Sequence, residues 1–306
     1  MVDTALPRDR QAARSTYVVQ RLSDPAEIRA LLAPDRAYAA YALAQLEPGM
    51  FELSEWYQAT DPQGRAPSTG SGQALIVHSR SGLGRALFAV GDPQALDAIL
   101  GLHPGPRFTF GSLRPEHRPV VQRYFFLTRE QTMLRMAVTP ETFSPAEGEA
   151  LRLSGRDVGK INRLYSSEGG PTAYTARHID EGVYYGVFEA DKLASIAGTH
   201  AFSPSEGVAV VGNVFTHPRC RNRGLATVAT TAVTRELLER CSLVVLTVEA
   251  DNTFAVRAYQ KLGYQSQCAL HETPLIRKEP LGLLSLARRL VAGWRGRDQG
   301  TEVVLR

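Results

Sequence analysis

The sequence is poor in the residues that build metal and disulfide frameworks. Cys220, Cys241 and Cys268 are its only cysteines in 306 residues. They are odd in number, widely spaced and form no C-x-x-C pair, so neither a zinc site nor a disulfide scaffold is expected, and a reducing cytoplasm is the simplest setting. No stretch approaches the roughly 18 consecutive apolar residues of a membrane span. The opening "MVDTALPRDRQAARSTYVV" lacks an apolar segment, so a signal peptide is not expected. Charge is nearly balanced, +4 overall with a pI of about 9.0, too weak to argue for nucleic acid alone.

What is present suits a folded α/β protein. Apolar residues make up 43% of the chain, enough for real cores, and the length accommodates two ordinary domains. The first eighteen or so residues are polar and expected to fray. "TYVVQRL" then alternates like a strand, and Asp24-Pro25 reads as the start of a helix. The Gly/Ser/Pro-rich stretch 61–73 reads as a loop, and "ALIVHS" and "ALFAVG" as strands about a turn. Residues 139–149, "TPETFSPAEGE", have no periodicity and mark a domain boundary. The second half repeats a coarse order of strand, helices, strands, helix, strand, helix and strand. "SLVVLTVEA" is apolar almost throughout and suits a strand covered on both faces.

The densest chemical signal is "VFTHPRCRNRGLATVATTAV", residues 214–233. A strand enters a turn holding Arg219, Arg221, Arg223 and Gly224, then a helix. A helix start offers unpaired N–H groups and the positive end of the helix dipole, and a glycine permits close backbone approach. Arg221 or Arg223 can clamp a phosphate oxygen, and Thr227 can add a hydroxyl. A solvated turn decorated with arginines is the plain alternative. The pattern is not G-x-G-x-x-G and lacks Gly-Lys-Ser, so dinucleotide-fold and Walker-type sites fit poorly.

"FTHPRCRNRGLAT" resembles the acyl-CoA pyrophosphate loop of the GNAT superfamily of N-acyltransferases, with its Arg/Gln-x-x-Gly-x-Gly/Ala pattern at 221–226. "LTVEADNTFAVRAYQKLGYQ" is similar to that family's next strand and helix. The resemblance covers roughly residues 148–275. It implies a mixed α/β fold of two tandem GNAT-like domains, each a mostly antiparallel sheet flanked by helices. Residues 1–140 would be a degenerate, non-catalytic copy, and 141–306 the catalytic acyl-CoA-binding unit, as in glycine N-acyltransferase-like or mycothiol-synthase-like proteins.

The resemblance also implies roles. Acetyl-CoA, or another short acyl-CoA, would place its pantetheine arm along Val214, Phe215 and Thr216. Its diphosphate would meet Arg221, Asn222, Arg223, Gly224, Leu225, Ala226 and Thr227. Asn252 and Ala255 would face the pantetheine or acyl end, although Asn252 also reads as a helix N-cap. Tyr259 would protonate the departing thiolate; as plain structure it is a half-buried core tyrosine. Glu249 is the first candidate for a base, with Glu189, His200 and His217 behind it, and water can relay the proton. Tyr174, His178, Tyr184 and Tyr185 would line the acceptor pocket.

"LGLLSLARRLVAGWRGR" places Leu283, Ala287, Leu290 and Trp294 on one helical stripe, expected to dock on the rest of the chain or a dimer partner rather than on a membrane. The expected protein is a cytoplasmic acyltransferase acting on a small-molecule or protein amine, with a homodimer left open. A non-catalytic acyl-CoA-binding regulator on the same fold is the alternative. A basic nucleic-acid-binding protein is another, disfavoured because the arginine clusters lack interleaved stacking aromatics.

Overall fold

A computed structural model describes residues 16–63, 72–80, 84–170, 172–296 and 302–305. Most of the opening segment expected to fray, and most of the 61–73 loop, lie outside the described residues. Strand β1 (Thr16–Leu22) alternates buried and half-exposed positions. Asp24 accepts from the Ala26 N–H at 2.8 Å and Pro25 takes the first helical position, which starts α1 (Pro25–Leu32). Asp35 caps α2 (Arg36–Ala44) through the Tyr38 N–H. There follow β2 (Ser54–Thr60), β3 (Gln73–Ser79), β4 (Ala86–Gly91), α3 (Pro93–Leu102), β5 (Phe108–Leu113), α4 (Arg118–Tyr124), β6 (Phe125–Leu127) and β7 (Gln131–Val138).

Residues 139–150 carry neither helix nor strand. Beyond them come β8 (Leu151–Arg152), α5 (Val158–Ser166), α6 (Ala176–Glu181), β9 (Tyr184–Glu189), β10 (Lys192–Ser203), β11 (Val208–Thr216), α7 (Leu225–Leu238), β12 (Leu243–Glu249), α8 (Thr253–Lys261), β13 (Gln265–Arg277), α9 (Leu283–Arg295) and β14 (Glu302–Leu305). Both halves share a succession of strand, two helices, three strands, helix, strand, helix and strand, with β6 inserted before β7 in the first half and α9 and β14 added after β13 in the second. Each has one parallel pair, β4 with β5 and β11 with β12. The other pairings among the described residues are antiparallel.

All of these strands join one large mixed sheet. Its order is β14-β1-β2-β3-β4-β5-β13-β7-β12-β11-β10-β9-β8, with β6 beside β13. The halves interlace at its centre. Strand β7, which precedes the 139–149 segment, lies between β12 and β13. Strand β13 spans 13 residues and pairs with β7 along Gln265–Glu272 and with β5 along His271–Ile276.

Strand alternation divides the core between two faces. Val208, Val210 and Val245 pack with Tyr38, Ala42 and Leu43 of α2. Ala209, Val211, Val244 and Leu246 pack with Ala229 and Val233 of α7. Strand β12 is thus covered on both sides, which its unbroken apolar run requires. Helix α2, from the first half, roofs part of the second half's sheet.

Helix α9 differs from expectation. Ser285 and Ala292 face inward, while Leu283, Leu290 and Trp294 are 62%, 68% and 68% exposed. The apolar stripe docks on nothing among the described residues, because small side chains make the closer contact with the body. No helix among the described residues is long and apolar enough to cross a membrane.

Candidate active site

Strands β11 and β12 pair only where Val208–Val211 meet Leu243–Leu246. Beyond that point they part, β11 continuing to Thr216 and β12 to Glu249. A bulge accompanies the parting. Ile196 of β10 pairs with Phe215 and Gly198 with Gly212, so three steps on β11 face two on β10. Asn213 takes the left-handed conformation, φ 53°, that the bulge demands. Backbone groups on the β12-facing edge of 212–216 are thereby released from the ladder.

The turn after β11 completes an anion-shaped cradle. Gly224 sits at φ 77° just ahead of α7, and no side chain caps the helix. No described residue accepts a hydrogen bond from the N–H groups of Asn222 to Thr227; the first helical bond is Val228 N–H to Gly224 O, 3.1 Å. Among the described residues the first half shows no counterpart. There Pro93 removes a donor, and Asp92 accepts from Gln94 and Ala95 at 2.8 and 3.1 Å, so a carboxylate occupies the helix start. Arg221 and Arg223 of the turn are already paired. Arg221 binds Glu168 and donates to the Thr216 carbonyl at 3.3 Å, while Arg223 bonds Glu189 at 2.7 Å. Glu189 is therefore engaged by Arg223 in the free protein.

Val214, Leu225, Ala255 and Tyr259 pack against one core cluster on the α7/α8 face. Asn252 caps α8 through the Ala255 N–H, 3.1 Å, which leaves its amide NH₂ unused. The Tyr259 ring meets Tyr264 edge-on at 6.0 Å. No described residue bonds its hydroxyl, and burial pushes its pKa up to about 12.

Phe215 points the other way, into a cluster with Tyr165, Tyr174 and Tyr184. Asn213 organises that face. Its Nδ2 donates to the Thr199 carbonyl (3.3 Å) and to Tyr184 Oη (3.1 Å). Its Oδ1 accepts from Tyr174 Oη (2.9 Å) and lies 3.0 Å from His200 Nε2. A carbonyl can only accept, so Thr199 O settles the amide orientation. Oδ1 is then an acceptor, His200 carries its proton on Nε2, and Nδ1 accepts from Tyr41 Oη at 2.8 Å. Burial lowers the His200 pKa, favouring this neutral form. Gly212 makes room for the ring, since a Cβ there would stand 2.5 Å from it.

The structure revises part of the predicted acceptor pocket. Tyr184 is fully buried, donating to Thr199 O at 3.0 Å. Tyr185, its neighbour on the strand, faces the opposite side, where Arg152 lies 5.7 Å over its ring. The two side chains therefore point to opposite sides of the sheet and do not share a pocket wall. Tyr174 and His178 do stack, 5.4 Å apart. His217 is tied to its own turn by the Arg219 N–H, 3.2 Å. Glu249 lies at the exposed end of β12, opposite in facing to buried Val248, and accepts from Gln131 Nε2 at 3.0 Å.

Sequence reading passed over Tyr41, Arg135 and Glu272, and took Asn213 only as the start of the strand facing pantetheine, with no role for its side chain. Asn213 carried a legible signal, a polar residue beside glycine inside an apolar strand. The others come together only through the interlaced sheet.

A splayed parallel pair with an uncapped glycine turn at its mouth is the arrangement of a GNAT domain. Residues 158–264 match the acetyltransferase (GNAT) family, and the chain carries a GNAT acetyltransferase domain over that span. Acyl transfer is the general chemistry of that family. A Drosophila protein of solved structure shares 14% identity, with 84% of this chain and 98% of that one covered and a TM-score of 0.59. A GCN5-related N-acetyltransferase from Sphaerobacter thermophilus shares 16%, covering 85% and 96%, TM-score 0.51. Further off, a tandem GNAT protein from the clavulanic acid biosynthesis pathway shares 12%, covering 85% and 98%, TM-score 0.47. No curated protein matches the chain significantly.

Proposed function

We propose that the protein is an N-acyltransferase that moves an acetyl or short acyl group from CoA to a primary amine by direct attack. The carrying observation is that β11 parts from β12 beside a turn whose N–H groups, Asn222 to Thr227, have no acceptor. Those donors and the helix dipole suit a diphosphate. The freed edge of β11 suits an amide-bearing arm such as pantetheine. In this reading residues 141–306 form the catalytic unit and 1–140 a non-catalytic relative whose own helix start Asp92 has closed. Three unpaired cysteines fit a cytoplasmic setting.

The chain's residues then divide the work. Arg221 and Arg223 exchange carboxylate for phosphate partners, keeping charge-assisted bonds throughout. The amine, deprotonated by water or by Glu249, uses its lone pair to form the C–N bond; the C–S bond breaks and the nitrogen sheds its extra proton to water. Tyr259, protonated up to about pH 12, gives its proton to the departing thiolate and recovers one from solvent. Calorimetric titration of CoA into the full chain and into Gly224→Val tests this. Saturable binding lost in the variant is expected; equal binding by both would remove the turn from the site.

A further inference from the structure

An apolar hollow bordering the Asn213 network is shared between the halves. It measures about 370 Å³ and is walled by Ala42, Val77, Ala86, Leu87, Phe88 and Phe110, with Tyr41, His200 and Glu272 among the residues of its polar margin. Tyr41 and His200 connect it by hydrogen bonds to Asn213, the residue before the strand segment proposed to hold pantetheine. The hollow therefore lies on the acceptor side of the splay, not the Tyr259 side.

Glu272 supplies its charge. On β13 it shares the α2 face with Leu270, and its register partner on β7 is Gln131. Gln131 in turn donates to Glu249. The two carboxylates thus stand on one face, two strands apart, or about 10 Å laterally. No hydrogen bond from a described residue reaches the Glu272 carboxylate, and burial raises its pKa against the opposing pull of Arg135. The nearest buried cation is Arg135, whose guanidinium lies 4.9 Å over the Tyr41 ring. It forms no ion pair with Glu272 among the described residues and does not line the hollow. A half-buried carboxylate with no hydrogen bond or ion pair from a described residue, and only the field of Arg135 nearby, at the edge of an apolar hollow, is matched by a cation.

Resting on the acyltransferase reading, we infer that the acceptor is a primary amine on an apolar body, the body seated in the seam hollow and the ammonium group facing Glu272. The first half then selects the substrate: five of the six apolar walls lie on α2, β3 and β4 and the sixth on β5.

Calorimetry on the full chain without CoA tests this with three probes of one shape: phenethylamine, 2-phenylethanol and phenylacetate. Phenethylamine should bind at least tenfold tighter than the other two. Glu272→Gln should remove that preference and leave 2-phenylethanol unchanged, while Ala86→Phe, which fills the hollow, should weaken all three. Equal or tighter binding of phenylacetate would show that Arg135 governs the hollow and overturn the proposal, as would no binding of any probe or an undiminished amine preference in Glu272→Gln. Should Glu272→Gln not fold, Glu272→Asp replaces it, with a weakened but retained preference expected and an unaltered one contradictory. A CoA titration runs beside each variant. Amine binding through Glu272 without any CoA binding would sink the acyltransferase reading while leaving the amine site standing.

Discussion

Tyr41 and His200 belong to different halves of the chain and share a 2.8 Å hydrogen bond. Through it a first-half helix is tied to the bulge that opens β11 from β12. The bond has a fixed direction, phenol to Nδ1, because Nε2 is committed to Asn213. The opening of the cleft is therefore coupled to the docking of α2.

Asn213→Gly should separate backbone from side chain at this bulge. Glycine keeps the left-handed φ at no steric cost, so the strand should still bend. Tyr174, Tyr184 and His200 each lose a partner, which should cost about 1–3 kcal/mol in urea unfolding. Asn213→Ala should lose more, because alanine adds strain at positive φ. If both variants matched the parent, the network would contribute no net stability.

Gly224→Val should abolish CoA binding and also lower stability by about 1–2 kcal/mol. Open space surrounds the position, so no clash arises in the free protein; the cost comes from φ 77°. Gly224→Ala should share the strain but keep measurable CoA affinity, since its Cβ intrudes less. Comparing the two dissociation constants separates blocked approach from backbone strain.

Arg221→Ala should weaken CoA binding roughly tenfold to a hundredfold if the guanidinium takes a phosphate oxygen. Glu168→Gln removes the competing carboxylate beside it and should leave CoA affinity equal or raised. A fall in affinity in Glu168→Gln would mean that the ion pair shapes the site rather than holding the arginine in reserve.

Tyr259→Phe should lower kcat by roughly 10²–10⁴ with CoA affinity nearly intact. Its pKa near 12 means that the wild-type rate should show no alkaline fall from this group below about pH 11. Turnover within twofold of the parent, with chemistry rate-limiting, would make Tyr259 a packing residue.

His78 should give the fold an acid-sensitive term. It is buried, its Nε2 lies 3.0 Å from the His103 carbonyl, and burial lowers its pKa to about 4. The unfolded chain takes up this proton near pH 6.5, before the folded one can. The stability is therefore complete above pH 6.5 and declines as pH falls toward 4, by about 3 kcal/mol in all. Urea midpoints at pH 7 and 5 should differ less in His78→Gln than in the parent. Parallel profiles would show that the imidazole is rehydrated in the native state.

Local features were legible in the sequence where local physics decides them. Asp24-Pro25 marked a helix start, the apolar run around Val244 marked a strand covered on both faces, and Gly224 marked a turn with exposed donors. The acceptor side was not legible. Tyr184 and Tyr185 are adjacent in sequence but face opposite sides of the sheet. Tyr41, His200 and Glu272 stand at 41, 200 and 272 and meet only because β7 and β13 cross between the halves. Helix α9 misled because periodicity reveals a stripe, not which way it faces.

The most direct test of the account is amine-dependent thiol release from acetyl-CoA by the full chain, with the acylated product identified by mass. The account predicts one thiol released per amide formed, release that requires an apolar primary amine, and silence in Gly224→Val. Saturable CoA binding with no amine-dependent release across such amines would contradict it and leave a binding protein on an acyltransferase fold.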